Sequence, residues 1–351
     1  MELIEIDAFG GPEVLRTRRF PDPEPPEDGY LVEVRAAGLN YADVVERRGL
    51  YKKDQQPPYR LGKEAAGVVV ARGPLATEFE VGDPVIVVSF RNGCYADLIV
   101  AEGHEVLRPP SGMSYIELAA FATNYATAWW AMHEVARVRP GEPVLVQAAA
   151  GGVGTAAVTL ARTFGCGPII GTAGGPAKVQ VVREVGADVA VDYLVDDFRP
   201  AVLDATGGAG VAYCLESVGG ETYSRSLDVM ADLGHLVIIG FSSIGSDYAT
   251  AIPRLHPLSV FHRSFSVGGL NIDNLGFFHQ RDTWDRLVDH ADAHGIRPVV
   301  GQVHPFSRIV DAHRALESRA TTGKVVLTMH PDATDTVVDL RRRADDALVA
   351  G

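Results

Sequence analysis

An apolar run, Val144-Leu145-Val146-Gln147, feeds into Ala148-Ala149-Ala150-Gly151-Gly152-Val153-Gly154, and a helical pattern follows as far as Arg162. Strand, glycine-rich turn and helix start are the parts of a dinucleotide-binding βα unit. In such a unit a pyrophosphate rests on the exposed amides of a helix N-terminus. Gly151, Gly152 and Gly154 permit close backbone approach, and Val153 opens the helix whose amides face the phosphates. An ordinary tight turn uses the same residues, but the flanking strand and helix favour the nucleotide. The next strand candidate, Pro168-Ile169-Ile170-Gly171-Thr172, does not end in an Asp or Glu to hold a ribose 2′-hydroxyl. It runs instead into Ala173-Gly174-Gly175-Pro176-Ala177-Lys178. A missing acid together with a lysine favours a 2′-phosphate, hence NADPH over NADH. These residues point to a hydride-transfer enzyme.

At 351 residues the chain is long enough for two domains with sizeable cores. Its formal net charge of −13 repels phosphate-rich surfaces, so neither nucleic acid nor an anionic membrane is expected as a partner. The acidic, alternating start Met1-Glu2-Leu3-Ile4-Glu5-Ile6 suits a first strand and not a secretory signal. No run approaches eighteen uncharged apolar residues, so no membrane span is expected. Cys94, Cys166 and Cys214 are odd in number and widely spaced, which fits a reducing compartment, by default the cytoplasm.

The first ~125 residues read as β-rich. Leu31–Arg35 alternates, Gly67–Ala71 is β-branched, and Asp83–Val88 follows a Val81-Gly82 turn. From about Phe121 the pattern changes. Strand candidates at 144–147, 168–172, 189–192, 211–216, 235–240 and 265–269 alternate with helices around 153–164, 177–185 and 220–231. That alternation implies a parallel doubly wound sheet in an α/β protein. A helix near 280–294, a strand near 298–304, a helix near 308–318 and a strand at Lys324–Met329 then return to complete the first domain. The tail after Pro331 is amphipathic, and the sequence leaves open whether it docks as a helix.

Spaced motifs accompany the glycine turn. They are Ala37-Gly38-Leu39-Asn40-Tyr41-Ala42-Asp43, Gly49-Leu50-Tyr51, Gly62-Lys63-Glu64-Ala65-Ala66-Gly67 and Gly93-Cys94-Tyr95-Ala96-Asp97. Thr127 before Trp129-Trp130, and Glu317-Ser318-Arg319, complete the series. With these motifs the chain resembles the zinc-independent, zeta-crystallin-like quinone oxidoreductase branch of the medium-chain dehydrogenase/reductase family, up to about residue 330. The resemblance implies a GroES-like β-rich catalytic domain formed by 1–122 and 271–351, with 331–351 a C-terminal extension. It implies a Rossmann NADPH-binding domain at 123–270, and a homodimer formed by edge-strand pairing. The implied reaction is hydride transfer from NADPH to a small-molecule quinone or α,β-unsaturated carbonyl.

In the family a lysine, then an aromatic or histidine fifteen residues later, and an arginine near the C-terminus hold the 2′-phosphate. Lys178, Tyr193 and Arg319 occupy these positions, with Gly175 in the preceding turn. Taken alone, Lys178 reads as a solvated lysine, Tyr193 as a packed strand-end aromatic and Arg319 as a solvated charge. Thr127 matches a position beside the nicotinamide carboxamide; a helix residue bonding its own backbone is the alternative. Gly240, Phe241 and Ser242 end the fifth strand, where open α/β sheets bind ligands. Some relatives carry Asn where Phe241 stands, so backbone contact is the expectation there. Gly269 and Leu270 end the sixth strand and border the nicotinamide by the same resemblance.

Zinc-dependent relatives carry a cysteine ligand near position 40, Gly-His-Glu near 62–64 and a four-cysteine lobe near 90–105. This chain has Asn40, Gly62-Lys63-Glu64 and a single Cys94 in those places, which disfavours a zinc site and zinc-assisted alcohol oxidation. Without a metal, an acceptor oxygen that develops negative charge needs hydrogen-bond donors. The resemblance places Asn40, Tyr41 and Tyr51 near the acceptor, Asn40 as carbonyl donor and Tyr41 as proton donor. Two other roles stay open: Asn40 as the cap of a helix beginning at Tyr41, and Tyr41 as a hydrophobic staple. Water also serves as a proton source. For Lys63 a salt bridge to Glu64 or Asp43 is expected, and for Cys94 a small buried apolar role. A polyketide-type or medium-chain enoyl reductase, and a low-turnover NADPH-binding protein of the crystallin or vesicle-protein type, are the competing functions.

Overall fold

The computed structural model describes residues 1–51, 56–89, 91, 93–243, 255, 257–275 and 281–329. The chain divides into two compact units, 1–123 with 276–351, and 124–275. His256 and the tail 331–351 lie outside the described residues.

The first unit is organised around one strand, Gly29–Leu39. Its N-terminal half pairs antiparallel with Leu98–Glu102 and its C-terminal half with Lys324–Thr328, while Glu64–Arg72 runs along the whole length. Register shifts at Leu31/Val32 and Val34/Ala36 let one strand serve both partners. Val32, Val34, Ala37 and Leu39 bury against Val69, Val85, Val87, Val325 and Leu327, and the helix Ile309–Glu317 adds Ile309 and Ala312. Each of the Val, Leu and Ile side chains contributes roughly 1.5–3 kcal/mol. The chain's return to this sheet after residue 298 is therefore a return to its own core.

Pairing sets the register of the polar residues too. Gly38 lies opposite Glu64, and Leu39 opposite Val325, so Asn40, Glu64 and Lys324 meet at one end of the sheet. A Cβ on Gly38 would lie 2.3 Å from the Ala119 carbonyl oxygen, 2.7 Å from Lys324 Cε and 2.9 Å from Glu64 Oε1. Glycine is what leaves room for the two charged side chains.

Helix Tyr41–Arg47 is held by an ion pair from Arg47 to Glu317, and Arg47 also donates to the Gly10 carbonyl at 2.5 Å. Nearby, His313 is fully buried with its ring edge-on to Tyr95, and neither ring nitrogen has a partner. Burial, reinforced by the Arg47 charge, pushes its pKa down to about 3. A folded value below the unfolded one makes the stability tied to the neutral ring complete above about pH 6.5 and lost as pH falls towards 3. His313→Leu is therefore expected to stabilise the protein by about 1–3 kcal/mol near neutrality, since no stranded ring nitrogen remains. The gain should widen on acidification; urea denaturation at about pH 7 and about pH 5 measures it. An equal gain at both values would show that His313 does not titrate.

The second unit is a six-stranded, all-parallel sheet. Its order is Val189–Asp192, Ile169–Ala173, Val144–Val146, Val211–Glu216, Met230–Ile238 and Ser266–Gly269. Counted along the chain this is 3-2-1-4-5-6, the doubly wound order whose switch point falls between the first and fourth strands. Helices Gly152–Thr163, Pro176–Val185, Phe198–Ala205 and Gly220–Asp228 supply the crossovers. The fold is α/β, a β-rich GroES-like unit and a Rossmann unit. The fifth strand begins at Met230, five residues before the sequence pattern places it, and helix Phe198–Ala205 is too short to show its periodicity clearly. Among the described residues no helix is long and apolar enough to cross a membrane.

Candidate active site

In the Rossmann unit the first strand ends at Val146 and helix Gly152–Thr163 begins six residues later. Gly151 is its N-cap and has no side chain to satisfy the first amides, which leaves them for an anion. The three glycines differ in what surrounds them. A Cβ on Gly151 would approach only the Ala148 carbonyl, at 3.3 Å. On Gly152 it would strike the Asn124 carboxamide at 2.6 Å, and on Gly154 the Ala148 oxygen at 2.4 Å and Ala149 Cα at 2.7 Å. Gly154 thus seats the helix against the turn, while Gly151 and Val153 lie at its open end. Asn124, 5% exposed beside Gly152, is a residue that sequence reasoning missed. It sits 28 residues upstream and no motif spacing announces it.

Gln147, Thr172, Ser226 and Glu216 form a buried chain beneath the strand ends. Thr172 Oγ1 donates to Gln147 Oε1 at 2.5 Å, Gln147 Nε2 to Ser226 Oγ at 3.0 Å, and Ser226 Oγ to Glu216 Oε2 at 3.0 Å. Glu216 Oε1 accepts the amides of Val218 and Gly219 at 2.6 and 2.9 Å. Burial raises its pKa against the pull of those amides. The network stiffens the first and fourth strands on either side of the switch point.

At the second strand's end, Gly175 has φ +90° and caps helix Pro176–Val185, with Lys178 half-buried in the first turn. A cation at a helix N-terminus opposes the dipole, so its own helix gives Lys178 no reason to be there. Asp192 ties this turn to the third strand by accepting from Gly175 N at 2.8 Å and Leu194 N at 3.1 Å. Tyr193, 50% exposed, lays its hydroxyl over Gly174, where a Cβ would be 2.7 Å away. Gly175, Lys178 and Tyr193 therefore share one corner. Arg319 belongs to the other unit, exposed and left-handed (φ 55°) just past helix Ile309–Glu317.

Ser242 N donates to the Ser217 carbonyl at 3.0 Å, which folds Gly240–Ser242 back over the fourth strand's end. Gly269 is exposed with open space at its Cβ position, and Leu270 N donates to the Ile238 carbonyl at 2.9 Å. Thr127, in helix Tyr115–Trp129, is 8% exposed. Its hydroxyl has no hydrogen-bond partner among the described residues, so the alternative that it bonds its own helix backbone does not hold.

In the GroES-like unit Asn40 precedes helix Tyr41–Arg47. Its backbone N–H donates to Asp43 Oδ2 at 2.7 Å, while its side chain is engaged elsewhere. Asn40 Nδ2 donates to Glu64 Oε1 at 2.8 Å, and Lys324 Nζ donates to Asn40 Oδ1 at 2.7 Å and to the same Glu64 oxygen. Glu64 Oε2 accepts the Thr123 amide at 2.7 Å. Tyr41 is half-buried at the first helical position.

Lys63 pairs with neither Glu64 nor Asp43, as the sequence suggested, but with Glu46 at 2.8 Å. Lys63 stands at a bend just before strand Glu64–Arg72, and it and Glu64 take different partners. Glu46 also accepts from the Tyr59 hydroxyl at 2.8 Å, and the Lys63 ammonium lies 4.9 Å from the Tyr51 ring centroid. Asp43 is fully buried; Oδ2 accepts from Tyr95 at 2.7 Å and Oδ1 has no partner. Burial, with the nearby Glu46 charge, lifts its pKa to about 7 against the pull of Lys63. Cys94 is fully buried, and burial raises its thiol pKa.

One domain model that the chain matches, residues 185–327, is described as a zinc-binding dehydrogenase; a second, residues 26–133, is an alcohol dehydrogenase GroES-like domain. The residues do not fit zinc. Lys63 and Asn40 offer no anionic ligand, Glu64 is committed to Lys324, and no cluster of three or more His, Cys, Asp or Glu suited to a metal exists among the described residues. A dinucleotide fits better, because the turn at 151–154 leaves a helix N-terminus uncapped by any side chain.

The human quinone oxidoreductase is 28% identical over 94% of this chain and 98% of its own length. Among solved structures, the Escherichia coli quinone oxidoreductase complexed with NADPH superposes with a TM-score of 0.84 at 30% identity, covering 93% of this chain and all of that one. The CurK enoyl reductase gives 0.83 at 27% identity, over 94% and 99%. Two matched domains, the strand order and these relatives agree: the chain belongs to the medium-chain dehydrogenase/reductase family and is an oxidoreductase with quinone oxidoreductases among its homologues.

Proposed function

We propose that this protein is an NADPH-dependent, metal-free reductase of quinones or α,β-unsaturated ketones. The observation that carries this reading is the Asn40–Glu64–Lys324 constellation, its two charged members buried, which leaves a neutral amide donor where zinc-dependent relatives carry a cysteine ligand. NADPH, when bound, supplies a hydride to an electron-poor carbon. Asn40 Nδ2–H then donates to the acceptor oxygen as negative charge develops there. The Tyr41 hydroxyl, which has no hydrogen-bond partner among the described residues, supplies the proton. Tyr51 lines the acceptor side. Lys178 and Tyr193 hold the adenosine 2′-phosphate.

Similarity to the CurK enoyl reductase favours one second reading, reduction of an enoyl thioester. NADPH oxidation with 9,10-phenanthrenequinone, an enone and an enoyl thioester in parallel separates the two. Turnover of none of them, with tight NADPH binding intact, would overturn both in favour of a binding protein. Lys178→Ala is expected to weaken NADPH roughly 10- to 100-fold, the worth of one charge-assisted bond, while leaving NADH nearly unchanged. Equal losses in a fluorescence titration would remove the phosphate role.

A further inference from the structure

Two residues far apart in the chain, Glu64 and Lys324, converge on a single carboxamide, that of Asn40. Asn40 is half-buried, whereas Lys324 and Glu64 are 2% and 0% exposed. The carboxamide has one acceptor oxygen and two N–H groups. Lys324 Nζ occupies the oxygen at 2.7 Å, Glu64 Oε1 accepts one N–H at 2.8 Å, and the second N–H has no acceptor among the described residues. Thr123 N fixes the other Glu64 oxygen at 2.7 Å, and the Asp43 carboxylate fixes the Asn40 backbone. Turned over by 180°, the amide would set N–H against an ammonium and oxygen against a carboxylate. The charges therefore choose the orientation.

We propose that Lys324 is a positioning residue that, with Glu64, locks the Asn40 carboxamide so that its second Nδ2–H is held for one uncharged carbonyl oxygen. This rests on the reading of Asn40 as the donor to the acceptor. Lys324 and Glu64 cancel each other's charge, so the constellation offers a neutral donor and gives no reward to a carboxylate. It would suit a ketone or quinone oxygen. Gly38 belongs to the device, because any side chain there would collide with both charged groups.

A double-mutant cycle on the full chain tests the proposal, with NADPH affinity and thermal unfolding followed in parallel. Lys324→Met should lower kcat for the best quinone or enone roughly 10- to 100-fold, the scale of a misplaced catalytic group, with NADPH affinity retained. Asn40→Ala should do the same, and the double variant should be no slower than Asn40→Ala alone. A purely structural Lys324 would instead add its full loss on the Asn40→Ala background, and that result overturns the proposal. Lys324→Met strands a buried carboxylate and threatens folding. Lys324→Met combined with Glu64→Gln removes both charges and serves as the folded alternative.

A second readout does not depend on turnover. The Asn40 side-chain amide resonances, identified by their loss in Asn40→Ala, should move towards free-amide values in the Lys324 variant. Unchanged resonances would sink the positioning role even in an active enzyme. Resonances that move in a protein reducing no quinone or enone would leave the positioning intact and refute the proposed reaction.

Discussion

Asp43→Asn should raise stability by about 1–2 kcal/mol near pH 5 and by about 2–4 kcal/mol near pH 8. Asp43 is fully buried, and one of its oxygens faces no donor. Its pKa rises from the ordinary 3.8 to about 7. A carboxyl whose folded value exceeds its unfolded value favours folding while protonated. That advantage is complete below about pH 3.8 and drains away as pH climbs to 7. The full gap corresponds to about 4 kcal/mol. The pull of Lys63 is already contained in that gap; the lower end of the range allows for the unpaired NH2 that the variant buries. Asparagine keeps an oxygen for the Asn40 amide and the Tyr95 hydroxyl, and places a neutral NH2 where the orphaned oxygen stood. Chemical denaturation of both proteins across this range decides the matter. Parallel pH profiles would mean that Asp43 ionises as readily in the folded protein as in the unfolded chain.

The second large effect is expected at Gly154. Alanine is intrinsically better than glycine in a helix by about 1 kcal/mol, so a helical glycine with free space gains from the change. At Gly154 the new carbon would lie 2.4 Å from the Ala148 oxygen and 2.7 Å from Ala149 Cα, both backbone atoms. Neither can yield as a flexible side chain would. Overpacking costs about 1–3 kcal/mol, which outweighs the propensity gain, and the helix start must shift away from the turn. Gly154→Ala is expected to lower the melting temperature and weaken NADPH roughly 10- to 100-fold. Gly151→Ala, whose Cβ would meet only the Ala148 oxygen at 3.3 Å, should be mild. If titration found the two variants equally tight, the close seating of the helix on the turn would have no bearing on the ligand.

Much of the Rossmann unit was legible because its signals are local. The turn 151–154 lies between an apolar strand and an amphipathic helix, and each following strand is a short apolar run. The absence of a carboxylate after Thr172 was equally plain. The acceptor side was less so. Asn40 stood out by its motif, but its partners Glu64 and Lys324 lie 24 and 284 residues away, and no periodicity reports such a meeting. Lys63 was assigned to Glu64 or Asp43, whereas its partner Glu46 lies 17 residues away on a helix and no spacing announces it. Asn124 and Asp192 went unnoticed because an isolated polar residue at an element's edge carries no pattern of its own.

Gly29–Leu39 draws its last partner strand from the far end of the chain, and the Lys324–Glu64 bond spans 260 residues. At a synthesis rate of about 5–20 residues per second, Glu64 waits roughly 10–50 seconds for its counter-charge to be made. Until then this end of the sheet holds an unneutralised carboxylate, and the nascent chain has every reason to keep that edge wet. Completion of this polar cluster is a late event on the ribosome, and a polypeptide released short of Lys324 would carry the glycine turn without the bonds that order Asn40.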